Sequence, residues 1–166
     1  MNKRANKSVV VGLDLAEKTG LCVMNGATKQ LLFSSTVKLS KADSESRLVH
    51  LHKLLNKIID SFSPDEIAIE DVFLPSKTSR KTPIALGELR GVARLCAAEH
   101  NLPVFFYPPR KVKQTITGYG NASKEDVINW IKNEFNIEVK DDNEADAISI
   151  AWTHVIASQF ERLSKE

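Results

Sequence analysis

The sequence predicts an α/β domain in which helices flank a mixed five-stranded sheet. Near the N-terminus, three strand-like segments follow one another at 8–15, 20–25 and 30–38, and Asn25-Gly26 marks a turn between the last two. Consecutive strands joined by short turns form an antiparallel meander. The chain then alternates between helical and strand periods, which is typical of parallel strands connected by helices. Together these observations predict a three-stranded antiparallel meander extended by two parallel strands.

The remaining elements follow from the spacing of apolar residues. A helix begins near Ser44, and its apolar face carries Leu48, Leu51, Leu55, Ile58 and Phe62. Further strands are predicted at 66–72 and 103–107, and further helices at 83–100, 110–116, 123–135 and 143–163. The helix over 83–100 is expected to bury Ile84, Leu89, Val92 and Cys96. Ser123 and Asp126 have the spacing of a capping box, which predicts where the next-to-last helix begins.

Composition excludes several classes of protein. The 166 residues are 42% hydrophobic, which suits one domain over 1–166 with residues 1–7 as a basic extension. The 23 basic and 21 acidic residues leave a net charge of +2, so affinity for nucleic acid depends on where the charges lie. No apolar run approaches the ~20 residues of a membrane span. Cys22 and Cys96 lack metal-ligand spacing and indicate reduced thiols in a cytoplasmic protein. Together with the short apolar runs, this excludes membrane proteins, secreted proteins and structural-zinc proteins.

Three acidic residues lie in apolar surroundings. Asp14 ends the segment VVVGLD, Glu70 ends EIAIE, and Asp146 lies within EADAISIAW. A buried carboxylate needs a partner, because an unpaired buried charge is destabilising. Carboxylates from two strand ends and a helix over the same sheet suit Mg²⁺ or Mn²⁺, which prefer oxygen ligands. Each acid alone could instead cap a strand end or pair with a lysine, but the three together favour a metal site.

Basic residues flank the segments that carry these acids. They are Lys77, Arg80 and Lys81 after Glu70, and Arg110, Lys111, Lys113 and Lys124 around the helices after the fifth strand. Cations beside a carboxylate-metal site suit phosphodiester chemistry, in which the phosphate must be held and developing charge offset. Runs of cations are also common on solvated surfaces. Phe73 lies at a loop edge, where it could stack on a DNA base or close the edge of the core.

Four segments, which together span most of the chain, carry a family resemblance. They are VVVGLDLAEKTGLCVM, SRLVHLHKLLNKIIDSFSPDEIAIEDVF, LGELRGVARLCAAEHNLPVFFYPPRKVKQTITGYGNASKEDV and EADAISIAWTH. The most specific string is VKQTITGYGNASKEDV, with IAIEDVF upstream and ADAISIAWTH downstream. The chain resembles the RuvC-type Holliday junction resolvases. The resemblance implies an RNase H-like fold and a homodimer that nicks two opposing strands of a four-way DNA junction, with branch-migration helicases as candidate partners.

The resemblance also implies roles for individual residues. Asp14, Glu70 and Asp146 correspond to the family's metal-binding acids, and Lys113 and Lys124 to its two basic residues around the scissile phosphate. It implies two Mg²⁺ ions per site, replaceable by Mn²⁺ and roughly 3.5–4 Å apart. Hydrolysis would leave 5′-phosphate and 3′-hydroxyl ends.

Two further expectations concern the junction-facing loop and the dimer. Phe73 corresponds to the aromatic residue of the family's junction-facing loop. Paired symmetric nicks call for two sites related by a two-fold axis, and the helix over 83–100 is the candidate dimer interface.

Two positions depart from the family pattern. The tripeptide Asp14-Leu15-Ala16 stands where the family has Asp-Pro-Gly, and Asn143 stands where it has a fourth metal ligand, an Asp or a His. An asparagine can ligate through its carbonyl oxygen, but it brings no charge and cannot act as a base. Asn143 is the expected fourth ligand by position. Asp142 is its substitute, because it lies four residues before Asp146 on the same helix face.

Three alternatives stay open. The first is a junction-binding or DNA-binding protein of this fold that has lost catalysis, which the amide at Asn143 motivates. The second is an RNase H-like nuclease that acts on other branched or hybrid nucleic acids. The third is an actin-like phosphotransferase, since GLDLAEKTG resembles the phosphate-binding hairpin of that group. Such enzymes need two comparable domains, which 166 residues do not supply.

Overall fold

The computed structural model describes residues 8–39, 41–71 and 81–164. The strands are β1 (Val9–Asp14), β2 (Lys18–Asn25), β3 (Gln30–Lys38), β4 (Glu66–Glu70) and β5 (Val104–Tyr107). The helices are α1 (Ser44–Phe62), α2 (Lys81–Glu99), α3 (Pro109–Thr117), α4 (Lys124–Phe135) and α5 (Asp142–Leu163). Every predicted element is present. Within the described ranges, none of the helices combines the length and apolar character that a membrane crossing requires.

The five strands form one mixed sheet in the order β3-β2-β1-β4-β5. β1 pairs with β2, and β2 with β3, in antiparallel orientation. β1 pairs with β4, and β4 with β5, in parallel orientation. The predicted meander extended by two parallel strands is therefore confirmed. Because neighbouring parallel strands end at the same edge of a sheet, the last residues of β1 and β4 lie side by side.

Side chains alternate between the two faces of the sheet, and each face has its own hydrophobic core. β1 contributes Val11 and Leu13 to the core under α1 and α2. β4 contributes Ala68 to the core under α3, α4 and α5. Glu70 lies two residues beyond Ala68, and Asp14 lies one residue beyond Leu13. The alternation therefore directs both carboxylates to the face that α5 covers.

A helix cap and a turn form where the sequence predicts them. The Ser123 side chain accepts a hydrogen bond from the backbone N–H of Asp126, and the Asp126 carboxylate accepts one from the N–H of Ser123, so the predicted capping box begins α4. In the loop between β2 and β3, the Asn25 side chain accepts hydrogen bonds of 3.0 Å from the N–H groups of Ala27 and Thr28. This is the turn that Asn25-Gly26 predicts.

α2 is oriented differently from the expectation. Leu89 and Cys96 are buried as expected, but Ile84 is 63% exposed. Five residues correspond to about 140° around an α-helix once full turns are removed, so burying Leu89 turns Ile84 outward. Leu95 lies on the same outer side and is 55% exposed. The expectation that Ile84 belongs to the core is therefore wrong.

Candidate active site

Asp14 and Glu70 lie at the ends of adjacent parallel strands. Leu13 of β1 and Ile69 of β4 are register partners. Asp14 directly follows Leu13, and Glu70 directly follows Ile69. The interiors of β1 and β4 are apolar and buried, and each strand ends in a carboxylate at its C-terminal residue. The sequence therefore delivers two carboxylates to one edge of the sheet, at the boundary between the core and solvent.

α5 comes unusually close to the sheet because two glycines lie beneath it. A Cβ at Gly12 would lie 2.8 Å from the Cβ of Ala151, and one at Gly20 would lie 2.6 Å from the carbonyl carbon of Asn143. Real Cβ atoms do not approach other atoms so closely, so only glycine permits this packing. Gly20 is the register partner of Asp14. The first turns of α5, which carry Asn143 and Asp146, therefore lie over the strand pair that ends at Asp14.

Hydrogen bonds from β3 fix the start of α5. The Ser34 hydroxyl donates to the buried Glu144 carboxylate over 2.7 Å, and the Thr36 hydroxyl donates to Asp141 over 2.6 Å. The Asp141 carboxylate also accepts from the backbone N–H of Glu144, and Glu144 accepts from the N–H of Lys140. This network was not predicted, although Asp141 and Glu144 have capping-box spacing in the sequence. Its effect is to hold the helix that presents Asp146.

The three acids share one electrostatic environment. Burial, followed by repulsion from Asp146 and Glu70, raises the pKa of Asp14 to about 7. Burial and repulsion from Asp146 raise the pKa of Glu70 to about 7. The pKa of Asp146 is also raised, chiefly by burial. The carboxylates lie close enough to repel one another, and a cation among them would relieve that repulsion.

Two lysines lie beside the carboxylates. The charge of Lys113 lowers the pKa values of Glu70 and Asp146, partly offsetting the effect of burial. Lys124 acts in the same direction on Asp14 and Asp146. The ammonium of Lys124 is paired with Asp142 at 2.5 Å; the Lys124 side chain is largely exposed and that of Asp142 is about half exposed. The structure thus brings Asp14, Glu70, Asp146, Lys113 and Lys124 into one site.

The other sequence candidates have different positions. Arg110 lies on α3 and packs against Gly120, where a Cβ would be 2.7 Å from the Arg110 Cγ. Lys111 lines a groove between α3 and α5 together with Phe160, so it lies apart from the carboxylates. Phe73, Lys77 and Arg80 fall outside the described residues, and of Lys81 only the backbone, at the start of α2, is described.

The donor set fits a hard divalent cation. Three carboxylates, together with the amide oxygen of Asn143, offer the oxygen ligands that Mg²⁺ prefers. The carboxylates do not close around a single point: among the described residues, only His52, Cys96 and Glu99 bring three ligand atoms within 4.8 Å of one another. Mg²⁺ usually keeps several waters and takes further ligands from substrate phosphates, so a site this open is compatible with it.

A second polar network fastens the far side of α5. His154 is buried, and its ring nitrogens lie 2.8 Å from the Tyr107 hydroxyl and 2.8 Å from the Glu66 carboxylate. The Phe105 ring packs on the same imidazole, with ring centroids 4.5 Å apart. These contacts connect α5 to β4 and β5 at some distance along α5 from Asp146.

Comparison with known proteins points to one family. The family model for crossover junction endodeoxyribonuclease RuvC matches residues 10–154. The crossover junction endodeoxyribonuclease RuvC of Thermotoga maritima is 35% identical over 160 residues, which is 95% of this chain and 90% of that protein. The RuvC of Haemophilus ducreyi is 36% identical over 155 residues, covering 91% of this chain and 80% of that protein.

Solved structures give the same result. The Thermus thermophilus RuvC in complex with Holliday junction substrate has a TM-score of 0.84 and 28% identity, and the match covers 93% of this chain and 96% of that chain. The yeast mitochondrial Holliday junction resolvase Ydc2 has a TM-score of 0.65 at 15% identity and shares the fold alone. The RNase H-like architecture is therefore confirmed. Because the family match spans β1 through His154, and so includes every carboxylate and lysine of the site, the chain belongs to the RuvC family of crossover junction endodeoxyribonucleases.

Proposed function

We propose that this protein is a metal-dependent endonuclease that resolves four-way DNA junctions by paired symmetric nicks. The observation that carries the proposal is the convergence of three mutually repelling carboxylates with two lysines at one edge of the sheet. It is supported by relatives named as crossover junction endodeoxyribonucleases and by similarity to a RuvC bound to a Holliday junction. Hydrolysis would leave 5′-phosphate and 3′-hydroxyl ends.

Asp14, Glu70 and Asp146 would hold the Mg²⁺, two ions per site, with Asn143 as the fourth ligand. Mn²⁺ would substitute for Mg²⁺, because it accepts the same oxygen ligands. When bound, the metal supplies the activation of the attacking water and the stabilisation of the leaving 3′ oxygen. Asp142 is the alternative to Asn143 as fourth ligand, and its pairing with Lys124 favours Asn143.

Lys113 and Lys124 would hold the scissile phosphate and offset the charge that develops on it. Lys124 is exposed and paired with a single carboxylate, so it can exchange Asp142 for a phosphate oxygen as DNA binds. Lys113 lies on α3, and its charge acts on Glu70 and Asp146. The two ammonium groups would therefore approach the phosphate from α3 and α4 respectively.

The DNA-binding surface would extend outward from the site along basic residues. Arg110 and Lys111 are exposed on α3. The proposal also includes the residues between β4 and the body of α2, namely Phe73, Lys77, Arg80 and Lys81. The protein would act while associated with DNA in the cytoplasm, and proteins that migrate the branch point would be natural partners.

A two-fold dimer would present two such sites to one junction. α2 offers a surface for it, because Ile84 and Leu95 are 63% and 55% exposed on one side of that helix. The two side chains lie about 16 Å apart along that side of the helix, eleven residues at 1.5 Å each. We assign the interface predicted on the helix over 83–100 to this side of α2.

The decisive experiment is cleavage of a labelled four-way junction beside a linear duplex of the same sequence, with and without Mg²⁺. The proposal expects symmetric nicks in the junction alone, sealable by ligase, which Glu70→Gln abolishes. Glu134→Gln, which neutralises an exposed carboxylate on α4, serves as the matched control. A junction that is bound but left intact in both Mg²⁺ and Mn²⁺ would identify a binding protein instead. Equal cleavage of the linear duplex would indicate a nuclease of other specificity.

A further inference from the structure

A second cluster of ligating side chains lies between α1 and α2, on the face of the sheet opposite the carboxylates. It consists of His52 on α1 and Cys96 and Glu99 on α2, and it brings three ligand atoms within 4.8 Å of one another. The His52 Nε2 and Glu99 Oε2 atoms are 2.9 Å apart. Cys96 is fully buried, whereas His52 and Glu99 are partly exposed, so the cluster opens to solvent on one side.

Neighbouring groups fix the geometry of this cluster. The Asn56 side chain donates to the main-chain carbonyl of His52 over 3.0 Å, which holds the amide against α1. Its Oδ1 lies 2.6 Å from the Nε2 of His100, the residue after Glu99. Asn56 therefore connects the two helices beside the cluster and keeps a second imidazole close to it.

We propose that His52, Cys96 and Glu99 form a zinc site that fastens α1 to α2. Thiolate, imidazole and carboxylate are the three ligand types that Zn²⁺ takes from proteins, whereas Mg²⁺ avoids sulfur. Nitrogen and oxygen ligands bonded to one tetrahedral Zn²⁺ at about 2.0–2.1 Å lie about 3.3 Å apart. The observed separation of 2.9 Å needs only a small adjustment to admit the ion. Water would complete the coordination.

The charges balance in this assignment. A thiolate and a carboxylate carry two negative charges, which neutralise Zn²⁺, and the imidazole ligates in its neutral form. Burial, with repulsion from Glu99 and Asp60, raises the pKa of Cys96 to about 11, so without metal the side chain is a neutral thiol. Zinc binding breaks the S–H bond, forms the Zn–S bond and releases the proton to solvent.

The site would be independent of DNA cleavage. α1 and α2 pack with β1 in one core, whereas α5 covers the face that presents the carboxylates. The ligands come from two helices that a loop and β4 separate in sequence, which explains why cysteine spacing gives no sign of a zinc site. A ligand that binds only the folded chain stabilises it, so zinc is expected to raise the unfolding temperature without being needed for hydrolysis.

The test is metal binding to the full chain in saturating Mg²⁺, which occupies the oxygen-ligand site. We expect one equivalent of Zn²⁺ by calorimetry, with release of protons, and a thiolate-to-cobalt charge-transfer band when Co²⁺ replaces zinc. Cys96→Ser should abolish the band, and His52→Ala and Glu99→Gln should each weaken Zn²⁺ binding at least about tenfold. His50→Ala on α1 and Glu88→Gln on α2 are the matched controls and should leave binding unchanged.

Two results would overturn the proposal. One is the absence of a thiolate-to-cobalt band in the unmodified chain, because the carboxylate site has no sulfur ligand. The other is unchanged Zn²⁺ affinity in His52→Ala and Glu99→Gln. Both of these side chains are partly exposed, so these variants are expected to fold even if Cys96→Ser does not. Far-ultraviolet circular dichroism of each variant checks this.

Discussion

The main-chain carbonyl of Asn143 lies against Gly20, so closely that a Cβ at position 20 would be 2.6 Å from the Asn143 carbonyl carbon. Gly20 is the register partner of Asp14 on the neighbouring strand. This contact sets the height of the start of α5 above β2, beside the end of β1. It therefore also sets the distance between Asp146 on the helix and Asp14 on the strand, on which a shared metal site depends.

Gly20→Ala is expected to displace the start of α5. The added methyl group overlaps a main-chain carbonyl, which cannot rotate away as a side chain could, so the variant should lose about 1–3 kcal/mol of stability. Mg²⁺-dependent junction cleavage should fall with it, because Asp146 moves relative to Asp14. Urea unfolding and cleavage rate are the measurements.

Gly87→Ala is the control for this change. Nothing lies within 4 Å of a Cβ at Gly87 on α2, so the variant should be as stable as the parent or up to about 1 kcal/mol more stable. A Gly20→Ala protein with unchanged stability and cleavage would show that α5 tolerates a different height.

Sequence patterns predicted the elements of the site well because each carboxylate ends or interrupts an apolar run. Asp14 and Glu70 are visible in the sequence as charges at the ends of buried strands, and the combination of an antiparallel meander with two parallel strands follows from the order of the elements. The contacts between elements were not visible. Neither the close approach at Gly20 nor the bond from Ser34 to Glu144 leaves a periodic trace, since each joins segments more than 100 residues apart.

The orientation of α2 was mispredicted for a related reason. Apolar residues occur all around this helix, so periodicity did not decide which side faces the core. Packing against α1 buries Leu89 and turns Ile84 outward.

The metal-free protein is expected to lose stability as the pH rises from about 4 to about 7. Asp14 and Glu70 have folded-state pKa values of about 7, raised above the ordinary values of 3.8 and 4.5. In this interval the folded state binds more protons than the unfolded state, so the free energy of unfolding falls with pH. Mg²⁺ should reduce the loss, because it favours the ionised carboxylates.

The measurement is urea unfolding at pH 5 and pH 8, in chelator and in Mg²⁺. Asp14→Asn should show a smaller fall between the two pH values than the parent chain, since it removes one of the titrating groups. Identical pH dependence in the parent and in Asp14→Asn would contradict the raised pKa of Asp14.

Lys113→Ala and Lys124→Ala should each slow cleavage by roughly 10²–10³-fold, the cost of removing one group that stabilises transition-state charge. Junction binding should weaken much less, because many phosphate contacts share it. Single-turnover cleavage and gel-shift affinity separate the two effects. Lys132→Ala, an exposed lysine on α4 paired with Glu138, is the control. Equal losses in binding and cleavage would indicate that the lysines act only as DNA anchors.

The Mg²⁺ dependence of cleavage shows whether Asn143 or Asp142 is the fourth metal ligand. If Asn143 is the fourth ligand, Asn143→Ala should raise the Mg²⁺ concentration for half-maximal cleavage, and Asn143→Asp should lower it by adding a charge. Asp142→Ala should shift this concentration less, because the carboxylate of Asp142 is paired with Lys124. The reverse order of effects would transfer the ligand role to Asp142.

Leu95→Glu is expected to convert a dimer into a monomer. Leu95 and Ile84 are exposed on the outer side of α2, and a charge buried within an apolar interface lacks a partner. Sedimentation equilibrium should give the mass of one chain for the variant and of two for the parent. Val49→Glu provides the matched control, because Val49 is 51% exposed on α1 and lies outside the proposed interface.

Paired nicking should be lost in Leu95→Glu, while any residual cleavage becomes single nicks, because a monomer presents one set of carboxylates to the junction. A dimeric Leu95→Glu protein would place the two-fold axis on another surface.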